Sequence, residues 1–147
     1  MKKHVARYRC KLVRDHTVDY IGSVTCSNDL FNVIKKLGLA DCSEEYFFMF
    51  AFNAKGEIVA FHEISHGDLT SSSAHPREIF KRALLCNAGA VAFAHNHPSG
   101  DSTPSGEDVK TTIRLKECGE LLGIPVIDHI IVGSPRDLAS MKELGLL

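Results

Sequence analysis

The sequence contains no tryptophan, and aromatic residues make up only 7% of it. That leaves little from which to build a stacking platform for single-stranded nucleic acid. No charge of one sign dominates: 17 Lys and Arg stand against 18 Asp and Glu, a formal net charge of −1. This argues against a global field that would draw in nucleic acid or an anionic membrane, although a local patch is still allowed. No stretch reaches the roughly 18 consecutive apolar residues that mark a membrane-spanning helix. The opening Met1-Lys2-Lys3-His4 lacks the apolar run of a secretory signal. Five cysteines, at positions 10, 26, 42, 86 and 118, form no C-x-x-C pair. Their spacing argues against a cysteine-rich zinc knuckle or a redox dithiol. Reduced thiols serving as small apolar residues, in a cytoplasmic protein, are the expectation.

What is present fits one folded unit. A chain of 147 residues is the length of a single domain, taken here as 1–147, and 44% hydrophobic residues suffice for a core. Histidine is the compositional oddity. There are eight, and six of them lie between His62 and His129. Imidazole is the commonest metal ligand and a frequent acid or base, so this stretch is where chemistry is expected.

Val5 to Val13 alternates basic and apolar residues, which predicts a half-buried strand. Ser27-Asn28-Asp29 offers an N-cap for a helix over Leu30 to Leu37, stopped by Gly38. Tyr46–Phe52 and Ile58–Ile64 flank the turn signal Asn53-Ala54-Lys55-Gly56, which together read as a β-hairpin. A polar, Ser-rich loop follows over Gly67–Ala74. His75-Pro76-Arg77-Glu78 opens a helix that Gly89 ends, with Ile79, Ala83, Leu84 and Asn87 considered for its inner face. Ala90–Ala94 is a short apolar run suited to a central strand. A helix is predicted from Pro104 or Ser105 to Leu122, capped by Gly123, and a strand over Pro125–Val132. The tail from Asp137 to Leu147 fits a short strand or a last helical turn. Alternating strands and helices with one hairpin define an α/β class with a mixed sheet flanked by helices.

The informative stretch runs from His95 to Asp108. His95 and His97 are two residues apart at a strand end, so both imidazoles point to one face. Asp108 falls in the first turn of the next helix, which a loop of this length can return to the strand end. Two nitrogens and a carboxylate make three ligands and leave a fourth place for water, the count of a catalytic zinc site. Attack on an amide also needs a proton acceptor, for which Glu44, Glu45 and Glu63 are the candidates.

His95-x-His97 with Ser105-x-x-Asp108 resembles the JAMM motif of JAB/MPN metallopeptidase domains. Three stretches resemble the RadC-like branch in particular: Ser73-Ala74-His75-Pro76-Arg77-Glu78, Ala94-His95-Asn96-His97-Pro98-Ser99-Gly100, and Asp128-His129-Ile130-Ile131-Val132-Gly133. The likeness spans residues 40–140. It implies the JAB/MPN fold, which is similar to that of cytidine deaminases, and one catalytic zinc held by His95, His97 and Asp108. It implies Glu45 as the general base and Ser105 as the group that steadies the oxyanion. The activity implied is hydrolysis of a peptide or isopeptide amide by a metal-bound water, with a protein or peptide as substrate. Longer RadC proteins carry an N-terminal helix-hairpin-helix segment, and the residues before position 40 do not read as one. The chain is thus similar to short, single-domain members.

Blander readings accompany each residue. Ser105 and Asp108 also fit a capping box. His75 fits a loop residue bonded to backbone at a helix start. His129 fits a satisfied core histidine, with orientation of a ligand as the alternative. His62 and His66 are expected at the surface, and Cys86 is expected to be inert. Lys2, Lys3, Arg7, Arg9, Lys11 and Arg14 form a charged strand face that could serve a nucleic acid. In that case the domain would be a DNA-associated or protein-binding module without turnover. A cytidine deaminase would need H-x-E followed by P-C-x-x-C, and neither occurs.

Overall fold

The computed structural model describes residues 5–7, 9, 11–20, 22–67 and 74–147. Five strands form one mixed sheet: β1 (Tyr46–Phe52), β2 (Ile58–His66), β3 (Ala90–Asn96), β4 (Val126–Ser134) and β5 (Asp137–Ser140). Their order is β2-β1-β3-β4-β5. β1 runs antiparallel to both neighbours, β3 and β4 are parallel, and β5 returns antiparallel along β4. The helices are α1 (Ser27–Lys36), α2 (Pro76–Leu85) and α3 (Gly106–Leu122).

Strand alternation sorts the side chains into two cores. Phe47, Met49, Val91 and Phe93 pack under Ile79, Phe80 and Ala83 of α2 and Leu115 of α3. Phe50, Phe52, Ala92, Ala94, Ile130 and Val132 pack against Leu30, Val33 and Ile34 of α1. Full burial of each large side chain contributes about 1.5–3 kcal/mol, so both layers hold the sheet. The α2/α3 face and the α1 face are the two surfaces that matter for the site. His95 lies two residues beyond Phe93 and shares the α2/α3 face, whereas Asn96 follows Ala94 onto the α1 face.

The hairpin, the central strand and the long helix lie where the sequence predicts, and the tail combines both of its readings, with β5 followed by turns. Several expectations are corrected. No strand forms among the described residues of 5–13, where Val5 is 99% and Val13 88% exposed. Tyr8 and Cys10 lie outside the described residues, as do positions 68–73 of the Ser-rich loop and Ser73 of the first motif. Alternation alone does not make a strand; it needs an edge to pair with and a face to bury. Helix α1 begins earlier than predicted, because Asp29 reaches back to accept from the backbone N–H of Thr25 (2.8 Å) and Cys26 (3.2 Å). Helix α2 ends at Leu85; Leu84, expected on its inner face, is exposed, and Asn87 takes a left-handed φ of 53° instead of a place there.

His62, expected at the surface, is half-buried. It is the cross-strand partner of buried Met49, which turns it toward α2, and its Nε2 lies 3.2 Å from Cys86 Sγ. Burial, with the charge of Arg82, lowers its pKa. Burial likewise raises the Cys86 thiol, consistent with an inert cysteine. His66 is exposed as expected and pairs with Glu63 at 3.1 Å. His75 caps α2, its Nδ1 accepting from the Arg77 N–H at 3.1 Å.

Candidate metal centre

The site forms where the C-terminal end of β3, the N-terminus of α3 and the start of β1 meet. His95 and His97 project from β3 and the residue after it, and their Nε2 atoms lie 2.9 Å apart. Asp108 reaches them from the first turn of α3. Its Oδ1 lies 3.2 Å from His95 Nε2, and its Oδ2 lies 3.3 Å from His97 Nε2. Glu45 immediately precedes β1, two residues before Phe47, and so shares the α2/α3 face. Its Oε1 is 3.9 Å from His95 Nε2. One donor atom from each of these four side chains lies within 4.8 Å of every other, so the group could hold a metal ion.

Of the three carboxylates considered as the base, only Glu45 comes to this cluster. Glu44 is exposed, and Glu63 turns to His66. Ser105 is the N-cap of α3 and forms the capping box with Asp108. Its Oγ accepts from the Asp108 N–H at 3.1 Å, while its own N–H donates to Asp108 Oδ2 at 2.7 Å. The capping role and the placement of Asp108 are therefore one arrangement.

The surrounding hydrogen bonds dictate where the lone pairs point. His97 Nδ1 lies 2.8 Å from the Asp101 carbonyl, which can only accept, so His97 carries its proton on Nδ1 and its Nε2 is bare. His95 Nδ1 meets His129 Nε2 at 2.8 Å, and His129 Nδ1 meets the Thr112 hydroxyl at 2.6 Å. The Thr112 hydroxyl donates to the Asp108 carbonyl at 2.7 Å. If that proton is spent there, His129 donates from Nδ1, His95 donates to His129, and His95 Nε2 is bare as well. Two nitrogen lone pairs and a carboxylate then converge with no proton between them. Such an arrangement suits a cation. Ligand atoms on a tetrahedral zinc lie about 3.3 Å from one another, close to the spacings here.

A proton on His95 Nε2, where one is present, has the Asp108 carboxylate as its acceptor. Burial works to raise the pKa of Asp108, but hydrogen bonding and charge from His95, with the bonds from Ser105, hold the carboxyl well below its ordinary range. Complete burial holds the pKa of His129 well below 6.5; the charge of His95 adds to this and that of Asp108 opposes it. The cluster is open to solvent on one side: His95 and Asp108 are buried (0% and 9%), but His97 and Glu45 are 18% and 22% exposed. Two cavities, of about 220 and 350 Å³, instead border α1 and contain none of the four.

Three residues not singled out by the sequence reading complete the site. Asn96, 2% exposed, accepts from the Tyr46 N–H at 2.7 Å and donates to the Glu44 carbonyl at 2.9 Å. It thereby fixes the segment that carries Glu45. Asp101 bonds the imidazole of His97 directly, and Thr112 reaches that of His95 through His129. Thr112 could have been found from its place one turn beyond Asp108 on the same helix face.

A pair of histidines and an aspartate, between the central strand and the following helix of a layered mixed sheet, fit a JAB-type domain with a group of side chains that could hold a metal ion. The family model described as "RadC-like JAB domain" matches residues 24–146, and the chain belongs to that family. It is 47% identical over 122 residues to a UPF0758 protein of Staphylococcus haemolyticus, covering 83% of this chain and 53% of that protein. It is 46% identical over 123 residues to a UPF0758 protein of Caldanaerobacter subterraneus, covering 84% and 52%. The chain spans about half the length of these curated relatives. No helix among the described residues is long and apolar enough to cross a membrane.

Proposed function

We propose that this domain is a zinc-dependent hydrolase of the JAMM metallopeptidase type, cleaving a peptide or isopeptide amide. The observation that carries this reading is the convergence of His95 Nε2, His97 Nε2 and the Asp108 carboxylate, with Glu45 beside them. Two imidazoles and one carboxylate favour zinc among the common divalent metals. Zinc held there would polarise a substrate carbonyl and bring the pKa of water toward about 7. Glu45, on the solvent side of the cluster, stands where a carboxylate can take a proton from water and return it to the leaving amine. The Ser105 hydroxyl accepts from Asp108 and keeps its own proton, which it can donate to an oxygen gaining negative charge.

Metal analysis of the purified chain should give about one equivalent of zinc, lost in the His95→Ala, His97→Ala double variant. A library containing both α-peptide and lysine isopeptide bonds, read by mass spectrometry, tests turnover. Glu45→Gln should retain zinc and release no products. Zinc retained by the double variant overturns the metal reading, and products from Glu45→Gln move the base elsewhere.

Arg7, Arg9, Lys11 and Arg14 are all exposed, while Lys2 and Lys3 lie outside the described residues; the exposed four support a second reading as a DNA-associated module. Duplex binding that weakens steeply with salt would favour it. Cys26, Cys42, Cys86 and Cys118 are free thiols, which suits a cytoplasmic location.

A further inference from the structure

We propose that Thr112 and His129 are positioning residues that select which nitrogen of His95 faces the metal centre. This inference rests on the metal reading above. Thr112, His129 and His95 are 0%, 1% and 0% exposed, so water cannot replace any partner in the chain. Their contacts, 2.6 and 2.8 Å, link a hydroxyl on α3 to an imidazole on β4 and then to one on β3.

A chain of this kind has two settings. In the first, the Thr112 hydroxyl donates to the Asp108 carbonyl, His129 donates from Nδ1 to Thr112, and His95 donates from Nδ1 to His129. His95 Nε2 then offers a lone pair to the centre. In the second, Thr112 donates to His129 Nδ1, His129 donates from Nε2 to His95 Nδ1, and His95 is protonated at Nε2. That proton points at His97 Nε2, 2.9 Å away, and occupies the position a cation would take. A metal and the second setting exclude one another.

The Thr112 hydroxyl decides between them. In the first setting it donates to the Asp108 carbonyl at 2.7 Å, leaving the lone pair of His95 Nε2 for a cation; in the second, the Asp108 carboxylate, 3.2 Å away, can accept the Nε2 proton. Without the hydroxyl, the first setting leaves a buried N–H of His129 with no acceptor, and the second loses less. Thr112 touches none of the four side chains of the cluster through its own hydroxyl; beyond its bond to the Asp108 backbone, it reaches the centre through His129.

The test uses the full chain, stripped of metal, with zinc affinity read by competition against a chelator. Thr112→Val should weaken zinc binding by about tenfold, the lower end of the effect of losing a direct partner of a ligating histidine, because Thr112 acts one step further out, through His129. Thr112→Ser, which keeps the hydroxyl, should restore affinity to within about threefold. Long-range proton–nitrogen NMR of the zinc-loaded wild type should show His95 and His129 both protonated at Nδ1, a readout that folding defects do not mimic. Equal zinc affinity in Thr112→Val overturns the proposal, as does His129 protonated at Nε2 in the loaded protein. If Thr112→Val does not fold, the NMR assignment of the wild type decides alone. A wild type that takes up no zinc removes the metal reading itself and this proposal with it. A wild type that binds zinc beside an unaffected Thr112→Val removes only the relay.

Discussion

Asn96 offers the sharpest test of how the chain places Glu45. Its side chain sits between two histidines in sequence, yet it points to the opposite face of β3 and clamps residues 42–46. Oδ1 accepts from the Tyr46 N–H at 2.7 Å, and Nδ2 donates to the Glu44 carbonyl at 2.9 Å and, more weakly, to the Cys42 carbonyl at 3.4 Å. Asn96→Ala strands the Tyr46 donor and the Glu44 acceptor. A buried orphan costs about 1–3 kcal/mol, and because Tyr46 is only half-buried and Glu44 exposed, the lower end applies to each. The sum is about 2–3 kcal/mol, which for a chain of this size lowers the melting temperature by about 10 °C. Asn96→Asp keeps the acceptor but sets a carboxylate oxygen against the Glu44 carbonyl, so at neutral pH it should be at least as harmful. Only the protonated form of the introduced acid can donate. Its folded pKa is therefore raised above about 3.9, and its penalty shrinks as the pH falls toward that value. Hydrogen exchange supplies the local readout: the Tyr46 amide should lose protection in Asn96→Ala, while zinc affinity stays within about threefold because no ligand of the proposed ion is on that face. An Asn96→Ala protein that melts within about 2 °C of wild type and keeps Tyr46 protected would refute the clamp.

Two further outcomes are expected. A Cβ on Gly133 would lie 2.5 Å from the Gly100 carbonyl oxygen and 2.6 Å from both Ser102 N and Asp137 Oδ2. Gly133→Ala should push away the loop whose Asp101 carbonyl orients His97, costing about 1–3 kcal/mol and weakening zinc binding, measurable by denaturant melts and chelator competition. In the metal-free protein, burial and then the charge of His95 hold the His129 pKa well down, against Asp108. The unfolded chain takes up a proton below about pH 6.5 that folded His129 refuses, so stability falls on acidification from there by up to about 1.4 kcal/mol per pH unit. Asp108, whose pKa is depressed, adds its loss only below about pH 4. Urea melts between pH 7 and 5 should show a shallower slope in His129→Gln, with His62 supplying a residual slope in the same direction; an unchanged slope counts against this assignment.

The parts of the site legible in the sequence are those set by local geometry. Period-two alternation put His95 and His97 on one face, and the Ser105-x-x-Asp108 box marked the helix start that brings the carboxylate back. Glu45 could not be separated from Glu44 by local rules, because the choice depends on β1 pairing with β3. What escaped was tertiary. Thr112 and His129 meet across 17 residues, and Asn96 reaches back 52 positions to Glu44. Val5–Val13 had the right alternation, but its described residues form no strand and stay exposed, and His62 became half-buried because its strand neighbour Met49 lies inside.

These observations combine in the register of one strand pair. Phe47 pairs with His95, and Phe48 with Ala94, in the antiparallel β1–β3 ladder. That register places Glu45, two residues before Phe47, beside the imidazole of His95. A slip of one residue would turn Glu45 and the aromatic set Phe47 and Met49 to the α1 face together. Burial of Phe47, Met49 and Phe93 under α2 and α3 therefore enforces the position of Glu45 as well as the core. Asn96 acts on the other face, bonding the backbone of the same segment at Tyr46 and Glu44. β3 thus divides its labour by parity: His95 and His97 face the proposed ion, and Asn96, between them, holds the backbone that carries the proposed base. Moving either set by one position would break both functions, which is why metal binding and base placement should fail separately only in variants that, like Asn96→Ala and Thr112→Val, touch one face at a time.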